Sequence, residues 1–135
     1  MKKHLTLGLA LFFAAACATA QKHKNAPEWT IKGAGAFEES GKRVFYGVGM
    51  APAAIADESL RRETADNRAR ADIQKIFSTS IESAMTIYTA SEGEKAERVL
   101  KTFQSGKLSW VQIVDRYQAP DGAIYSLAKL DLEQI

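Results

Sequence analysis

Cys17 has the clearest chemical setting in the chain, because it is the only cysteine and follows three alanines at the end of an apolar run. Small residues in front of a cysteine are typical of a lipobox, in which the thiol is acylated and the chain is then cleaved before the cysteine. We therefore predict Cys17 as a lipidation site. A single cysteine also excludes an intramolecular disulfide bond.

The residues before Cys17 have the pattern of an export signal. A basic start at Lys2 and Lys3 precedes an uninterrupted run of apolar and small residues over 5–16. Such a run spans only about 18 Å as a helix, whereas a bilayer core is about 30 Å thick. It is therefore too short for a membrane span, and we predict a signal peptide within residues 1–20.

Two cleavage sites compete in this signal peptide. The lipobox predicts cleavage before Cys17 and a lipid-anchored protein, although Ala14 stands where leucine is usual. The sequence Ala18-Thr19-Ala20 matches an ordinary cleavage site and would instead release a soluble periplasmic protein. We favour the lipobox because Cys17 lies where the apolar run ends. The absence of Asp just after the cysteine favours the outer membrane, by resemblance to the enterobacterial sorting rule.

Histidine, the commonest residue in acid–base catalysis and a frequent zinc ligand, is absent from the predicted domain. His4 would leave with the signal peptide, and His23 lies in the polar stretch 21–26, which we predict to be a flexible tether. A catalytic triad or a zinc site needs such residues held together inside the fold. We therefore expect no catalytic residues, no metal site, no cofactor and no enzymatic activity.

Gly47-Val48-Gly49 has part of the spacing of a dinucleotide-binding loop. Pro52 stands where that motif needs its third glycine, and no βαβ pattern follows, so we interpret the glycines as part of a strand end.

The charged residues are interpreted as solvated side chains. Without Lys2 and Lys3 the chain has 16 basic and 16 acidic side chains, which argues against a nucleic-acid partner. The adjacent carboxylates are Asp57, Glu58, Glu92 and Glu94, and the clustered arginines are Arg61, Arg62, Arg68 and Arg70. Both groups fit helix surfaces better than an acid–base pair or a binding patch.

The pattern of apolar residues predicts one α+β domain over 27–135. Strands are expected at 44–51, 108–118 and 124–132, a long helix at 53–85, a shorter helix at 91–107 and a turn at 120–122. Residues 33–41, with three glycines, are expected to form a loop or loose strand. The expected fold is an antiparallel sheet of about three strands packed on the long helix, with a short second helix.

The long helix has a buried stripe and a charged surface. Its predicted stripe consists of Ala65, Ala69, Ile73, Ile76, Phe77 and Ala84. Its predicted ion pairs, four residues apart, are Glu58–Arg62, Asp66–Arg70 and Arg68–Asp72.

The predicted strand 108–118 is apolar on both faces. Leu108, Trp110 and Val114 alternate with Val111, Ile113 and Tyr117, whereas a sheet with one wet face alternates apolar and polar residues. Either the short helix or a partner chain would cover the second face. The candidate interface residues are Trp110, Val111, Ile113 and Tyr117, and the partner would be a second copy or another envelope protein.

Four segments together resemble a known family. They are Pro27-Glu28-Trp29, Phe45-Tyr46-Gly47-Val48-Gly49, the helix segment Thr64-Ala65-Asp66-Asn67-Arg68-Ala69-Arg70-Ala71, and Tyr125-Ser126-Leu127-Ala128-Lys129-Leu130-Asp131. In this order they resemble the Lpp-twenty lipoprotein family of small outer-membrane lipoproteins in Gram-negative bacteria.

The resemblance implies a sheet-on-helix fold related to that of dodecins, and a lipid-anchored, non-enzymatic envelope role. Only the lipidation site transfers from the family, onto Cys17. We therefore expect an outer-membrane lipoprotein with a binding or assembly domain, and keep as the alternative a soluble periplasmic protein that binds a small ligand.

Overall fold

The computed structural model describes residues 25–84 and 90–135 of the chain. Its elements, labelled in chain order, are α1 (Trp29–Lys32), β1 (Gly35–Glu39), β2 (Lys42–Ala51), α2 (Glu58–Ala84), α3 (Ala90–Gln104), β3 (Gln112–Gln118) and β4 (Ile124–Asp131), followed by a 3-10 turn at Leu132–Gln134. The predicted signal peptide, Cys17 and residue 85 lie outside the described part.

The strands form one antiparallel sheet in the order β1-β2-β4-β3, and α2 packs on it. This confirms the predicted α+β class and the antiparallel sheet packed on one long helix, with four strands where about three were predicted. The additional strand is β1, whose glycines had indicated a loop or loose strand. Ser40 and Gly41 join it to β2 with φ angles of 53° and 75°, as a two-residue hairpin turn requires.

The helix ends follow local capping chemistry. Helix α2 begins at Glu58, later than the predicted start at residue 53, because the Asp57 carboxylate accepts a hydrogen bond from the Leu60 N–H at 2.7 Å. The turn after α3 ends at Gly106, where φ is 72° and the N–H donates to the Phe103 carbonyl at 2.9 Å.

Two glycines of β2 let α2 come into direct backbone contact with the sheet. A Cβ atom on Gly47 would lie 2.7 Å from the backbone nitrogen of Ile73, and one on Gly49 would overlap the backbone of Ala65 and Ala69. Protein interiors are already close-packed, so only glycine fits at either position. The residues of α2 at this contact are also small: Ala65 and Ala69 are both fully buried there.

The main core forms between α2, α3 and the sheet. Phe77 of α2 packs edge to face with Phe45 of β2 at 4.9 Å and with Phe103 of α3 at 5.7 Å between ring centroids. The other buried members are Ala69, Ile73, Ile81, Ala96, Val99, Val111, Ala128, Leu130 and Leu132. The predicted stripe of α2 is thus its buried face, with Ile76 partly buried, while the side chain of Ala84 lies outside the described part.

A β-bulge in β3 corrects the prediction of a strand with two apolar faces. Strand β3 begins only at Gln112, and its pairing with β4 shifts by one residue between Ile113 and Asp115. The extra residue, Val114, is 46% exposed. Because a bulge reverses the side-chain alternation, Ile113 points toward the α2 core while Tyr117 points to the opposite face.

Helix α2 also completes the hydrogen bonding along one edge of β2. The pairing of β1 with β2 stops at Gly35 and Tyr46, and beyond it no other strand of residues 25–84 and 90–135 pairs with that side of β2. The Val48 N–H donates to Asp72 Oδ2 at 3.0 Å, and Arg68 Nη1 donates to the Met50 carbonyl at 2.6 Å. The predicted Arg68–Asp72 ion pair is therefore wrong, because both side chains bind backbone groups of the sheet instead.

Asp66 forms a buried charged network between α2 and the sheet. It is 8% exposed and accepts hydrogen bonds from Arg116 Nε at 2.9 Å, Arg116 Nη2 at 2.7 Å and Ser126 Oγ at 2.6 Å. The predicted partner Arg70 donates its hydrogen bond to Asn67 at 3.3 Å rather than to Asp66, although its positive charge also lowers the pKa of Asp66. The third predicted pair, Glu58–Arg62, is confirmed at 2.9 Å.

The balance of forces on Asp66 keeps this carboxyl ionised. Burial alone would raise its pKa, but the hydrogen bonds from Arg116 and Ser126 and the nearby positive charge of Arg116 lower it below the ordinary value of 3.8. A pKa that is lower in the folded state means that Asp66 stabilises the fold above pH 3.8. That contribution is lost as the pH falls from 3.8 through the lower folded-state pKa.

The backbone contact between α2 and β2 predicts the effect of adding a single methyl group. Gly49→Ala should lower the free energy of unfolding by about 2 kcal/mol or more, because the new Cβ overlaps helix backbone that cannot move aside. Urea unfolding followed by circular dichroism measures this. The matched control is Gly93→Ala in α3, where the space is open and alanine should raise stability by about 0.5–1 kcal/mol. Equal effects of the two substitutions would contradict the close contact.

The Asp66 network predicts a pH-dependent stability difference. Asp66→Asn should be less stable than the wild type by about 1–3 kcal/mol at pH 7, because Arg116 and Ser126 lose a charged acceptor. The gap should shrink below pH 3.8, as the wild-type carboxyl also becomes neutral. Denaturant unfolding at several pH values tests this, with the exposed Glu97→Gln as control. A gap that stays constant down to acidic pH would argue against the network.

Candidate functional site: an aromatic groove on the open face of the sheet

The face of the sheet opposite α2 carries aromatic and apolar side chains. Since Gly47 and Gly49 face α2, their neighbours along β2 face the other way, and strand pairing places the β1, β3 and β4 residues beside them. The aromatic and apolar members of this surface, called the open face, are Phe37, Val44, Tyr46, Val48, Met50, Tyr117, Tyr125 and Leu127, and the same register places the polar Glu39, Asp115 and Lys129 among them. A solvated face of an antiparallel sheet is normally polar, so this composition indicates a surface that makes contacts.

Helix α1 lies against the open face and is fixed there by two interactions. Trp29 Nε1 donates a hydrogen bond to Asp115 Oδ2 at 2.8 Å, and the Lys32 ammonium lies 4.5 Å from the centre of the Phe37 ring. The bulge in β3 turns Asp115 outward toward α1 while the next residue, Arg116, turns inward to Asp66. The bulge therefore positions Asp115 to bind α1 on one face of the sheet and Arg116 to bind Asp66 of α2 on the other.

A groove of about 290 Å³ lies between α1 and the open face. Its lining combines aromatic rings, an aliphatic floor and charges of both signs, from Glu28, Trp29, Lys32, Gly33, Phe37, Glu39, Tyr46 and Leu127. Leu127 is only 8% exposed, so it forms the floor, and the charged residues stand at the rim. The volume is near the lower limit of small-molecule pockets, which suits one ring or one side chain of a partner.

A polar cluster organises one wall of the groove. The Tyr46 hydroxyl donates to Glu39 Oε1 at 2.7 Å, and the Lys129 ammonium lies 3.5 Å from Glu39 Oε2. Burial and then the hydrogen bond to Glu39 raise the pKa of Tyr46, so this phenol stays protonated at neutral pH. Burial opposes the charge of Lys129, but Tyr46 and Glu39 outweigh it and raise its pKa. Near pH 7 Tyr46 therefore keeps its proton and Lys129 keeps its charge.

Aromatic rings and lysine ammonium groups lie close together at the groove. Phe37 and Tyr46 pack at 5.8 Å between ring centroids, and each has a lysine ammonium near its ring, Lys32 for Phe37 and Lys129 for Tyr46. Rings can hold an apolar group by stacking, while rim charges can orient a polar one. Within residues 25–84 and 90–135, no three His, Cys, Asp or Glu side chains are grouped so that they could hold a metal ion.

The four candidate interface residues occupy different surroundings. Val111 is 6% exposed inside the α2–α3 core, and Trp110 and Ile113 are partly buried against the same core. Only Tyr117 belongs to the open face, where its ring lies 6.2 Å from that of Tyr125. Helix α3 thus covers the apolar residues before the bulge, one of the two possibilities that the sequence left open. A role in contacts with a partner stays a prediction for all four.

The residues of the groove were not predicted as a site from the sequence. Phe37 and Glu39 lie on a strand predicted as a loop or loose strand, and Tyr46 and Lys129 read as ordinary strand residues. The usable signal was alternation: Tyr46, Val48 and Met50 alternate with glycines in β2, which indicates a strand with one face for a helix and one for apolar contacts.

None of the helices in the described residues is both long and apolar enough to cross a bilayer. A search of curated proteins found no match for the chain.

The chain matches the LPP20 lipoprotein family over residues 27–131. This range contains all four sequence segments that had suggested the family, together with the whole sheet, α2 and α3. The match also associates the chain with lipoproteins of the cell envelope. The chain therefore belongs to the LPP20 lipoprotein family.

Proposed function

We propose that this protein is an outer-membrane lipoprotein, anchored through acylated Cys17, whose folded domain binds a partner and catalyses no reaction. The family match carries the proposal, because the matched region begins at residue 27, ten residues after Cys17. That spacing leaves a short polar stretch between the cysteine and the folded domain, which suits a tether.

The binding role rests on the contrast between the two faces of the sheet. The α2 face is closed by backbone contact and by a core with fully buried aromatic rings. The open face keeps Met50 at 42% exposure and a groove with aromatic walls. Apolar surface left outside a well-packed core favours contact with another molecule.

The second candidate function is a soluble periplasmic protein that binds a small ligand. The groove of about 290 Å³ supports it, since the volume and the mixture of rings and charges suit a compact ligand. The two functions differ in the mature N-terminus. Cleavage at the lipobox leaves acylated Cys17, whereas the alternative site leaves Gln21 with a free amino group.

A pair of leader variants separates these functions. Cys17→Ser should remove almost all of the protein from the membrane fraction, whereas Ala20→Leu should leave it there, because lipobox cleavage does not use Ala20. Mass spectrometry of the wild type should find an acylated N-terminal cysteine, and density-gradient separation should place it in the outer membrane.

The opposite pattern would reverse the assignment. If Ala20→Leu blocks processing while Cys17→Ser leaves processing and location unchanged, the protein is released by ordinary cleavage. Acylated protein found in the inner-membrane fraction would remove only the outer-membrane part of the proposal.

A further inference from the structure

Ile31 is the most exposed of the large apolar side chains in the described part of the chain, at 56%. It lies on α1 between Trp29, which is half-buried, and Lys32, which is exposed. Helix α1 contains no buried residue, and Ile31 is not among the apolar residues that pack against either core cluster. An exposed aliphatic residue beside tryptophan and lysine is the composition found where proteins meet a membrane interface.

The position of α1 in the chain brings it close to the proposed lipid anchor. Asn25, the first described residue, lies eight residues after Cys17. Even a fully extended stretch of that length reaches no more than about 28 Å. The end of the domain that carries α1 is therefore confined to a thin layer at the bilayer surface whenever Cys17 is acylated.

Because the anchor would keep α1 close to the bilayer, even a weak contact between the two would be populated most of the time. Tethering turns an encounter with the bilayer into an intramolecular event, so one apolar side chain can hold an orientation that it could not hold on a free protein. The contact does not require anionic lipid, because the chain without Lys2 and Lys3 has equal numbers of acidic and basic side chains.

A membrane contact made by α1 would orient the whole domain, because α1 is fixed to the sheet. The Trp29–Asp115 hydrogen bond at 2.8 Å connects it to β3, and Lys32 over the Phe37 ring connects it to β1. A contact made by Ile31 would therefore set the orientation of the whole domain. Since Trp29 and Lys32 also line the groove, the groove would then lie next to the membrane surface.

We propose that Ile31 inserts into the interfacial layer of the bilayer that holds the anchor, while Trp29 and Lys32 face the sheet on the other side of α1. This inference rests on the proposed acylation of Cys17. It adds a second, non-covalent membrane contact and a fixed orientation of the domain, neither of which follows from the lipid alone.

The test uses the two tryptophans as depth probes. Membrane-purified protein carrying Trp110→Phe, so that Trp29 is the only tryptophan, is reconstituted in phosphatidylethanolamine–phosphatidylglycerol vesicles brominated near the headgroup end of the acyl chains. Trp29 fluorescence should be quenched, and adding Ile31→Ser should reduce the quenching by about twofold or more. Quenching should persist at high salt, because the contact is apolar.

Matched variants identify the cause. Leu60, 54% exposed on α2, gives the control Leu60→Ser, which should leave Trp29 quenching unchanged. The Trp29→Phe protein, in which only Trp110 reports, should show little quenching, since Trp110 packs against the core. Both Ser positions are exposed, so circular dichroism should show an unaltered fold.

Each outcome decides a separate question. Acylated protein whose Trp29 quenching is unaffected by Ile31→Ser, or equally reduced by Leu60→Ser, would overturn the insertion of Ile31 and leave the lipid anchor intact. Protein without an acyl mass that fails to float with the vesicles would overturn the proposed anchor and this inference together.

Discussion

The backbone contact between α2 and β2 is the constraint on which the rest of this structure depends. Because Gly47 and Gly49 have no side chain, the helix sits directly on the sheet, and no side chain of β2 separates the two at those points. That short distance brings Asp72 and Arg68 within reach of the unpaired edge of β2, and Asp66 within reach of Arg116 and Ser126. Three polar connections therefore depend on two glycines, and each satisfies groups whose burial would otherwise be costly.

Because α2 covers one face of the sheet, only the open face is available for contact with other molecules. The bulge at Val114 links the two sides, because it directs Arg116 to Asp66 on one face and Asp115 to Trp29 on the other. Helix α1 is attached to the sheet at two strands, to β3 through Asp115 and to β1 through Phe37. The start of the described chain, the proposed Ile31 contact and the groove all lie at this end of the domain, so membrane attachment and partner binding are expected to share one surface.

Much of the fold was predictable, because strong local signals agreed with the final packing. The stripe from Ala65 to Phe77, the turn before Ile124 and the glycine after α3 each specify their element without help from distant residues. The sequence did not decide between a loop and a loose strand for β1, because this strand gains its stability from pairing with β2. The bulge was missed because nothing in residues 112–118 marks an extra residue.

Helical spacing paired Asp66 with Arg70, but in the fold Arg116, fifty residues away, binds Asp66 bidentately. The groove forms where α1 folds back over β1 and β2 and meets Leu127 of β4, so it could not be predicted from any one of these elements.

Native-state amide hydrogen exchange tests the central contact most directly. The account predicts that the amides of Phe45, Gly47 and Gly49 in β2, and those of Ala69 to Phe77 in α2, exchange only through global unfolding. Their opening free energies should therefore equal the free energy of unfolding measured with denaturant. Amides of α1 should exchange through a local opening of lower free energy. If β2 and α2 exchanged through openings well below the global value while α3 remained protected, the α2–β2 contact would not be the constraint that holds this fold together.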